Sequence, residues 1–315
     1  MSTKVGIPRA LLFHEYAPLW TTFFEELGAQ VIISENTNKT ILNEGVQSTV
    51  DDACLPVKLF HGHVLNLKDK VDYIFIPRIM SLFKGEHICP KFCGLPEMIK
   101  NSIKDLPKII STEIDFIKSK NNLNETIYEI GKYFSNDFND ISRAYDIAYL
   151  KFEKYKKNTL NNIPNTNNKK IMLMGHSYNL YDTYVNMNAI NKISSNQIDV
   201  LTPQMIDDIH INEYSKKYKG KLFWTFARKL IGTTLYLIEN KNVDGIIYVS
   251  SFGCGIDSII VNTIERYIKR KSNIPFMLLT LDEHTGEGGL NTRIEAFIDM
   301  IKWRDKDEGN ISAHG

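Results

Sequence analysis

Short apolar runs alternate with amphipathic stretches along most of the chain. In the first hundred residues the apolar runs are Val5–Ile7, Val31–Ser34 and Tyr73–Ile76. Between the first two runs, the apolar residues of segment 16–27 recur at intervals near 3.6, which predicts a helix that buries one face. Strand, helix and strand in this order predict a parallel sheet covered by helices.

The middle of the chain shows a different pattern. From residue 123 to residue 160, apolar positions recur every three or four residues without a strand signal, which predicts helices. The end of this region, KYKKNTLNNIPNTNNKK, is rich in lysine and asparagine around Pro164 and has too few apolar residues to pack. We therefore predict an N-terminal α/β domain at 1–120, a helical connection and linker at 121–168, and a C-terminal α/β domain at 169–315.

Alternation of strands and helices resumes after this boundary. The predicted strands are Ile171–Met174, Ile198–Leu201, Gly245–Ser250 and Phe276–Thr280. The predicted helices are 181–193, 222–239, 257–269 and 289–303. Strands separated by helix-length segments predict a second doubly wound parallel sheet. In such sheets, functional groups belong in the loops beyond the carboxyl ends of the strands.

Composition argues against several classes of function. Hydrophobic residues make up 43% and charged residues 24% of the 315 residues, which is typical of a globular protein of about two domains. A net charge of +1 gives no overall basic field for nucleic acid. No apolar stretch reaches the length of a membrane span, and the first residues do not follow a signal-peptide pattern. We expect a cytoplasmic protein with neither a nucleic-acid nor a membrane partner.

The cysteines are the main chemical signal. The four are Cys54, Cys89, Cys93 and Cys254, too few for a disulfide scaffold, and none lies in a periodic apolar stretch. Cys254 follows a predicted strand, and Gly253 and Gly255 on either side allow a bulky group to approach its sulfur. Thiolates from distant loops are suited to a soft metal or an iron–sulfur cluster. Ordinary core or surface thiols are the alternative.

Cys93 has several interpretations. It follows Cys89 in a C-x3-C spacing, and a single close pair is weak evidence for a zinc finger. The sequence leaves three alternatives open for Cys93: a fourth ligand, a spare thiol or a packed residue.

Two further loops carry polar candidates. Glu283 and His284 lie in LDEHTGEGG after a predicted strand, where they suit proton transfer, although a helix N-terminus explains the same residues. His176 and Ser177 lie in GHSYNLYD after another strand, where they would donate hydrogen bonds to a cofactor or substrate. Arg78 would meet an anion or pair with Asp72 or Glu86.

Several sequence blocks resemble one superfamily. They include GIPRALLFHEYAPLW, DDACLPVKLFHGHV, GEHICPKFCGLP, GHSYNLYD, DGIIYVSSFGCGIDS and LDEHTGEGG. In this order they resemble the 2-hydroxyacyl-CoA dehydratases, benzoyl-CoA-type reductases and double-cubane cluster proteins, specifically a short branch related to their activases. The resemblance covers most of the chain.

The resemblance implies two flavodoxin-like α/β domains with a 4Fe-4S cluster between them. Carried over by motif, its ligands are Cys54, Cys89 and Cys254. Cys93 stands where the family pattern leads us to expect an apolar residue, so this thiol is an addition that either closes the fourth iron or leaves it open. Gly253 and Gly255, with His176 and Ser177, would line the cofactor, and His284 and Glu283 would serve catalysis.

The resemblance also implies partners. Relatives receive low-potential electrons from an ATP-hydrolysing activase, and this sequence lacks the P-loop motif GxxxxGK[ST], so we expect it to be the electron acceptor. The expected chemistry is reductive or dehydratase-like and acts on a CoA thioester or another small molecule, with a homodimer or a related subunit as open alternatives. Two other hypotheses are a non-catalytic electron carrier or assembly partner with a fully cysteine-ligated cluster, and a protein with structural or zinc-binding thiols.

Overall fold

The computed structural model describes residues 2–83, 85–115, 121–164 and 166–311, and of these it leaves the side chains of 121, 122 and 305–311 undescribed. The chain forms two compact units. The first contains Met1–Thr159 and Lys221–Ala227, and the second contains Leu160–Gly220 and Arg228–Gly315. The segment Lys221–Ala227 therefore belongs to the first unit, where Trp224 forms a parallel bridge with His87.

The first unit is built on a four-stranded parallel sheet. Its strands are β1 (Lys4–Ile7), β2 (Gln30–Ile33), β3 (Tyr73–Phe75) and β5 (Lys108–Ile110), in the order β2-β1-β3-β5. A separate parallel pair joins β4 (Arg78–Ser81) to β6 (Glu113–Asp115). The central strand β1 is buried at three of its four positions, as expected for a strand covered on both faces.

The helices of the first unit include most of the predicted helical connection, up to Thr159. They are α1 (Phe13–Glu26), α2 (Lys39–Gln47), α3 (Leu55–Leu67), α4 (Pro90–Cys93), α5 (Leu95–Ser102), α6 (Asn121–Gly131) and α7 (Phe138–Asn161). Phe23 and Phe24 of α1 share one core cluster with Phe75, with Ile130 of α6 and with Ile141 of α7. The amphipathic stretch in the middle of the chain therefore buries its apolar face against the first sheet.

The second unit repeats this architecture. Its strands are β7 (Lys169–Gly175), β8 (Ile198–Leu201), β9 (Gly245–Ser251) and β10 (Phe276–Leu281), all parallel in the order β10-β9-β7-β8. Its helices are α8 (Ser177–Tyr181), α9 (Ala189–Ser194), α10 (Asp208–Ser215), α11 (Thr225–Asn240), α12 (Gly255–Lys271) and α13 (Glu287–Ile311), with a 3-10 turn at Pro203–Met205. The first three residues of α11 belong to the first unit. Every residue of β9 is buried.

Both sheets share one strand order. Counted along the chain within each sheet, the strands lie in the order 2-1-3-4, which is the flavodoxin-like order up to its fourth strand. The predicted α/β class with two flavodoxin-like parallel sheets is confirmed. The order reverses between β1 and β3 in the first unit, and between β7 and β9 in the second. Ligands bind beyond the carboxyl ends of the strands at such switch points.

One predicted helix is wrong. The segment 181–193 is not a continuous helix, because α8 ends at Tyr181 and α9 begins at Ala189. Met187 and Asn188 between them have φ values of 51° and 61°, which are left-handed and cannot continue an α-helix. The Asp182 side chain accepts the backbone N–H groups of Tyr184 and Val185 and so stabilises the turn instead.

Candidate functional site

The second unit brings a buried polar group to the carboxyl ends of β7 and β9. β7 ends at Gly175, and His176 directly after it is the N-cap of α8. A Cβ atom at Gly175 would lie 2.4 Å from the carbonyl oxygen of Val249, so this close approach of β7 to β9 requires glycine. Cys254, which follows β9, is the N-cap of α12.

Three side chains converge here. The Nε2 atom of His176 lies 2.9 Å from Oδ1 of Asp257, and the His176 ring also forms a hydrogen bond with the Cys254 side chain. The backbone N–H of Asp257 donates to Sγ of Cys254 at 3.5 Å. One potential ligand atom from each residue lies within 4.8 Å of the other two. The structure therefore places the predicted residues His176 and Cys254 in contact.

Asp257 organises this group. Its side chain is fully buried, and its Oδ1 accepts the Tyr248 hydroxyl at 2.7 Å while Oδ2 accepts the Ser250 hydroxyl at 3.0 Å. With His176 as a third donor, the buried carboxylate is well satisfied. Its lone pairs are therefore engaged by protein donors, which suits an orienting role for the His176 ring better than the role of a metal ligand.

The charge state follows from these contacts. Burial opposes protonation of His176, but the Asp257 carboxylate outweighs burial and raises the pKa of His176 to about 10. Burial likewise works to raise the pKa of Asp257, and the neighbouring imidazolium lowers that pKa below its usual value. Burial and the same carboxylate raise the pKa of Tyr248. At neutral pH the site therefore contains a buried imidazolium–carboxylate pair beside the Cys254 sulfur.

Sequence reasoning missed three of these residues. Asp257 lies three positions after Cys254, one helical turn away, so a C-x-x-D spacing at the start of a helix was an available signal. Tyr248 and Ser250 lie two apart on β9 and therefore share one face of the sheet, but only the tertiary structure shows that Asp257 lies there. Asn179 also belongs to this region, because its Oδ1 accepts the Ser251 hydroxyl at 2.7 Å.

The other predicted cofactor-lining residues lie close by in the chain. Ser177 is the buried first residue of α8. Gly253 has a φ of 76°, a left-handed value that turns the chain from β9 into α12. Gly255 is the first residue of α12, with open space where a Cβ would stand. The backbone on both sides of the Cys254 sulfur therefore carries little bulk.

Two cysteines of the first unit are also helix N-caps, although their side chains make no N-cap hydrogen bond of the kind that Cys254 makes. Cys54 is the N-cap of α3, and Cys89 is the N-cap of α4. Proline follows within two positions of each, and it begins a helix well because it needs no N–H partner there. Met98 of α5 packs on the cluster that contains Cys54, which brings the segment after α4 to the start of α3.

Cys93 is different. It is the last residue of α4, and its thiol lies 4.0 Å from the carbonyl oxygen of Cys89. Burial raises the pKa of the Cys93 thiol. Arg78 donates to the Cys93 carbonyl oxygen at 2.8 Å and also pairs with Glu97. Arg78 therefore forms this ion pair with Glu97 and not with the predicted partners Asp72 and Glu86.

Glu283 and His284 lie outside the buried group. They form the turn after β10, where Asp282 Oδ1 accepts the backbone N–H of His284 at 2.9 Å and the Thr285 hydroxyl at 2.9 Å. The side chain of His284 is exposed. This geometry is a turn closed by Asp282 and Thr285 just before α13, and a catalytic role for Glu283 or His284 stays a prediction.

These features define a class of protein: a double flavodoxin-like α/β chain with cysteines at helix starts. Residues 4–206, more than half of the chain, match the family described as CoA enzyme activase uncharacterised domain, and the chain belongs to this family. Residues 162–301 match the family described as 2-hydroxyglutaryl-CoA dehydratase, D-component. The chain is thus a member of the dehydratase and activase group, as its motifs predicted.

One curated relative supports this grouping. The chain is 32% identical over 66 residues to YjiM of Escherichia coli (strain K12), whose name describes it provisionally as a dehydratase subunit. The match covers 21% of this chain and 17% of YjiM, so the chain spans only a small part of that relative.

Two solved structures resemble this chain at low similarity. ZnuA is 10% identical over 95% of this chain and 99% of that chain, with a TM-score of 0.28. Fe(III)-bound YtgA from Chlamydia trachomatis is 10% identical over 95% of this chain and 98% of that chain, with a TM-score of 0.29. Scores this low support no inference about this chain. Among the described residues, no helix is long and apolar enough to cross a membrane.

Proposed function

We propose that this chain holds a 4Fe-4S cluster through Cys54, Cys89 and Cys254. In this proposal the chain accepts low-potential electrons from an ATP-hydrolysing activase for dehydratase-like or reductive chemistry on a CoA thioester. A homodimer or a related subunit would complete the assembly. The observation that carries the proposal is that all three cysteines are helix N-caps, whereas Cys93 is not.

The local donor chemistry fits such a group. None of the four cysteines forms a disulfide, and Cys54, Cys89 and Cys254 are each the N-cap of a helix. Cys254 also accepts an N–H···S hydrogen bond from Asp257, and such bonds to ligand sulfurs tune cluster potentials. When bound, a cluster of this kind supplies one-electron transfer and, at an iron without a cysteine ligand, a Lewis acid.

The buried pair in the second unit would position one ligand. Asp257 fixes the His176 ring, and His176 in turn holds the Cys254 side chain. An orienting partner behind a ligand is the usual arrangement at metal centres. In the proposed role, His176 and Asp257 keep the Cys254 sulfur aimed outward from the end of β9.

The proposal is tested by iron and acid-labile sulfide analysis of anaerobically reconstituted protein. Cys54→Ala, Cys89→Ala and Cys254→Ala should each lose nearly all the iron, whereas Cys93→Ala, the matched control, should keep about four irons per chain. Circular dichroism of each variant checks that the fold is intact.

Two results would contradict the three-ligand assignment. Equal loss of iron in Cys93→Ala would favour the fully ligated electron carrier. About one zinc per chain without sulfide in the wild type would favour structural or zinc-binding thiols. Exogenous ligands provide a second check, since only a cluster with an open iron should change its spectrum when they are added.

A further inference from the structure

The second unit has a pocket at the amino ends of its strands. The pocket has a volume of about 560 Å³, and small-molecule sites have volumes of about 300–1,000 Å³. Its lining includes Lys169, the first residue of β7, Asp244 directly before β9, and Ile274 shortly before β10. Cys254 follows the other end of β9, a strand of seven residues that spans roughly 20 Å. The pocket is therefore separate from the candidate site.

Positive charge is concentrated in this pocket. Among the described residues, the lining has one carboxylate, that of Asp244, and six cations, which are Lys169, Lys241, Lys269, Arg270, Lys271 and Arg304. The whole chain has a net charge of only +1. A concave surface lined by one sign of charge raises the local concentration of ligands of the opposite sign. The pocket is thus suited to an anion.

Four of the six cations have no carboxylate partner within the described parts of the chain. Lys169 pairs with Asp244 at 3.1 Å, and Lys269 pairs with Glu265 at 2.6 Å. The remaining four cations are Lys241, Arg270, Lys271 and Arg304. Neighbouring cations without counter-charges repel one another, so an anion bound between them would relieve this repulsion.

The end of one helix does not account for these cations. Lys269, Arg270 and Lys271 fill the last turn of α12, where cations stabilise a helix end in any protein. Lys241 and Arg304 come from other elements, since Lys241 follows α11 and Arg304 lies in α13. Lys241 also has a φ of 48°, a left-handed value that glycine or asparagine adopts more readily after a helix. Three elements thus bring cations to one pocket, one of them with an unfavourable backbone conformation.

The pocket also has an oriented donor and some apolar surface. The guanidinium of Arg304 donates to the carbonyl oxygen of Asn273 at 3.1 Å, which holds it beside the loop before β10. Its other N–H groups remain available for a ligand, because an arginine side chain has five. Val243 and Ile301 are apolar residues of the lining. Cations beside a small apolar surface suit a phosphorylated organic molecule as well as an inorganic anion.

We propose that this pocket binds a polyphosphate group, either of a nucleotide or of inorganic polyphosphate. Linked phosphates carry closely spaced negative charges and many acceptor oxygens, which match arginine and lysine donors from several directions. The concave shape suits such a compact ligand better than a nucleic-acid duplex, whose phosphates follow a long helix. The proposal does not depend on the proposed cluster, because the four cysteines lie outside the pocket.

The test is calorimetric titration of the full chain with ATP, ADP, AMP and tripolyphosphate at low ionic strength. We expect the affinity to rise with each added phosphate, on the order of tenfold from AMP to ATP. A variant with Lys241→Asn, Arg270→Gln and Arg304→Gln should bind ATP on the order of tenfold more weakly, because each exposed ion pair contributes about two- to fivefold. Asparagine suits the left-handed backbone of Lys241, so that change removes the charge without added strain.

A charge-matched variant provides the control. Lys216→Asn, Arg266→Gln and Lys302→Gln remove three cations from exposed positions outside the pocket, two of them on α12 and α13. This variant should bind ATP within about twofold of the wild type. Thermal denaturation checks that both variants fold. Arg270→Gln alone, at an exposed position, repeats the test if the triple variant does not fold.

Three results would overturn the proposal. The first is that neither ATP nor tripolyphosphate binds, and the second is an affinity for ATP no higher than that for AMP. The third is equal weakening by the two triple variants, which would assign binding to overall charge. Tripolyphosphate that binds at least as tightly as ATP would support a site for inorganic polyphosphate. Tighter binding of ATP would support a nucleotide site, with the nucleoside against Val243 and Ile301.

Discussion

The two sheets have the same strand order but opposite chemistry at their switch points. Between β7 and β9 lies a fully buried ion pair, His176 and Asp257, beside a cysteine. Between β1 and β3 lies an apolar cavity with neither charge nor thiol in its lining. The strand order fixes where the loops meet, and the residues in those loops decide what the site can do.

The units are also alike between their second and third sheet strands, where each carries a pair of helices in close contact. A Cβ at Gly62 of α3 would lie 1.9 Å from the carbonyl oxygen of Ile41 in α2. A Cβ at Gly232 of α11 would lie 2.5 Å from the carbonyl oxygen of Ile211 in α10. Glycine thus lets both pairs approach closely, so the units share backbone packing although their sites differ.

Removing the buried carboxylate should have the largest effect. Asp257→Ala would leave the His176 imidazolium without its counter-charge, and breaking a buried pair costs about 3–5 kcal/mol. We expect the second unit to lose stability. Faster native-state hydrogen exchange of β7 and β9 in cluster-free protein would measure this loss. Exchange from β1 and β3 should change much less.

The control for this change is an exposed pair. Lys217 and Glu239 form an ion pair on the surface, and Glu239→Gln should leave the exchange rates of β7 and β9 unchanged. Asp257→Asn, which keeps the shape of the side chain, should lower the stability of the second unit less than Asp257→Ala does. Unaltered exchange in Asp257→Ala would mean that the pair does not support the second unit.

Adding a methyl group at the close helix contacts should have the next largest effect. Gly62→Ala forces α3 away from α2, and overpacking of this kind costs about 1–3 kcal/mol. Gly232→Ala should do the same to α10 and α11. Exchange should accelerate in the first unit for the former variant and in the second unit for the latter.

Gly288→Ala is the matched control, because nothing lies within 4 Å of its would-be Cβ in α13. That variant should be as stable as the wild type or slightly more so. A Gly62→Ala variant as stable as Gly288→Ala would contradict the prediction, because α2 and α3 could then separate to admit the methyl group at no cost in stability.

The sequence was sufficient for much of the fold. Strands such as β7 and β9 are continuous apolar runs, so their positions follow from hydrophobicity alone. The break between α8 and α9 was not predicted, because the left-handed turn at Met187 and Asn188 interrupts an otherwise apolar periodicity. Local backbone preferences of this kind have only a weak signal in a single sequence.

The candidate site was only partly predictable. Cys254 and His176 follow strands, and sheet topology sends such residues to one edge. Asp257 has the appearance of an ordinary acidic residue in the first turn of a helix, and Tyr248 that of a core strand residue. Their roles depend on a hydrogen bond between two elements, which periodicity cannot show.

Acid should lower the stability of the first unit through its buried histidines. We expect this effect to be smaller than those of the substitutions above. His63 is fully buried between the Ser34 and Thr37 hydroxyls, at 2.8 and 3.0 Å. Burial, helped by the nearby His14 and Arg9, lowers the pKa of His63 to about 3. Because the unfolded chain binds this proton near pH 6.5 and the fold does not, stability falls as the pH drops below 6.5.

The expected loss from His63 is roughly 1–2 kcal/mol between pH 7 and pH 5. Hydrogen exchange of β1 and β2 at several pH values, corrected for intrinsic rates, measures this loss. His63→Gln should make the stability of the first unit less dependent on pH between pH 7 and pH 5. This holds independently of any change in stability at pH 7. His210→Gln, which changes an exposed histidine of the second unit, should leave the dependence intact. An equally steep dependence in His63→Gln would assign the acid sensitivity to other groups, of which His14, with its pKa lowered by burial to about 4, is the first to test.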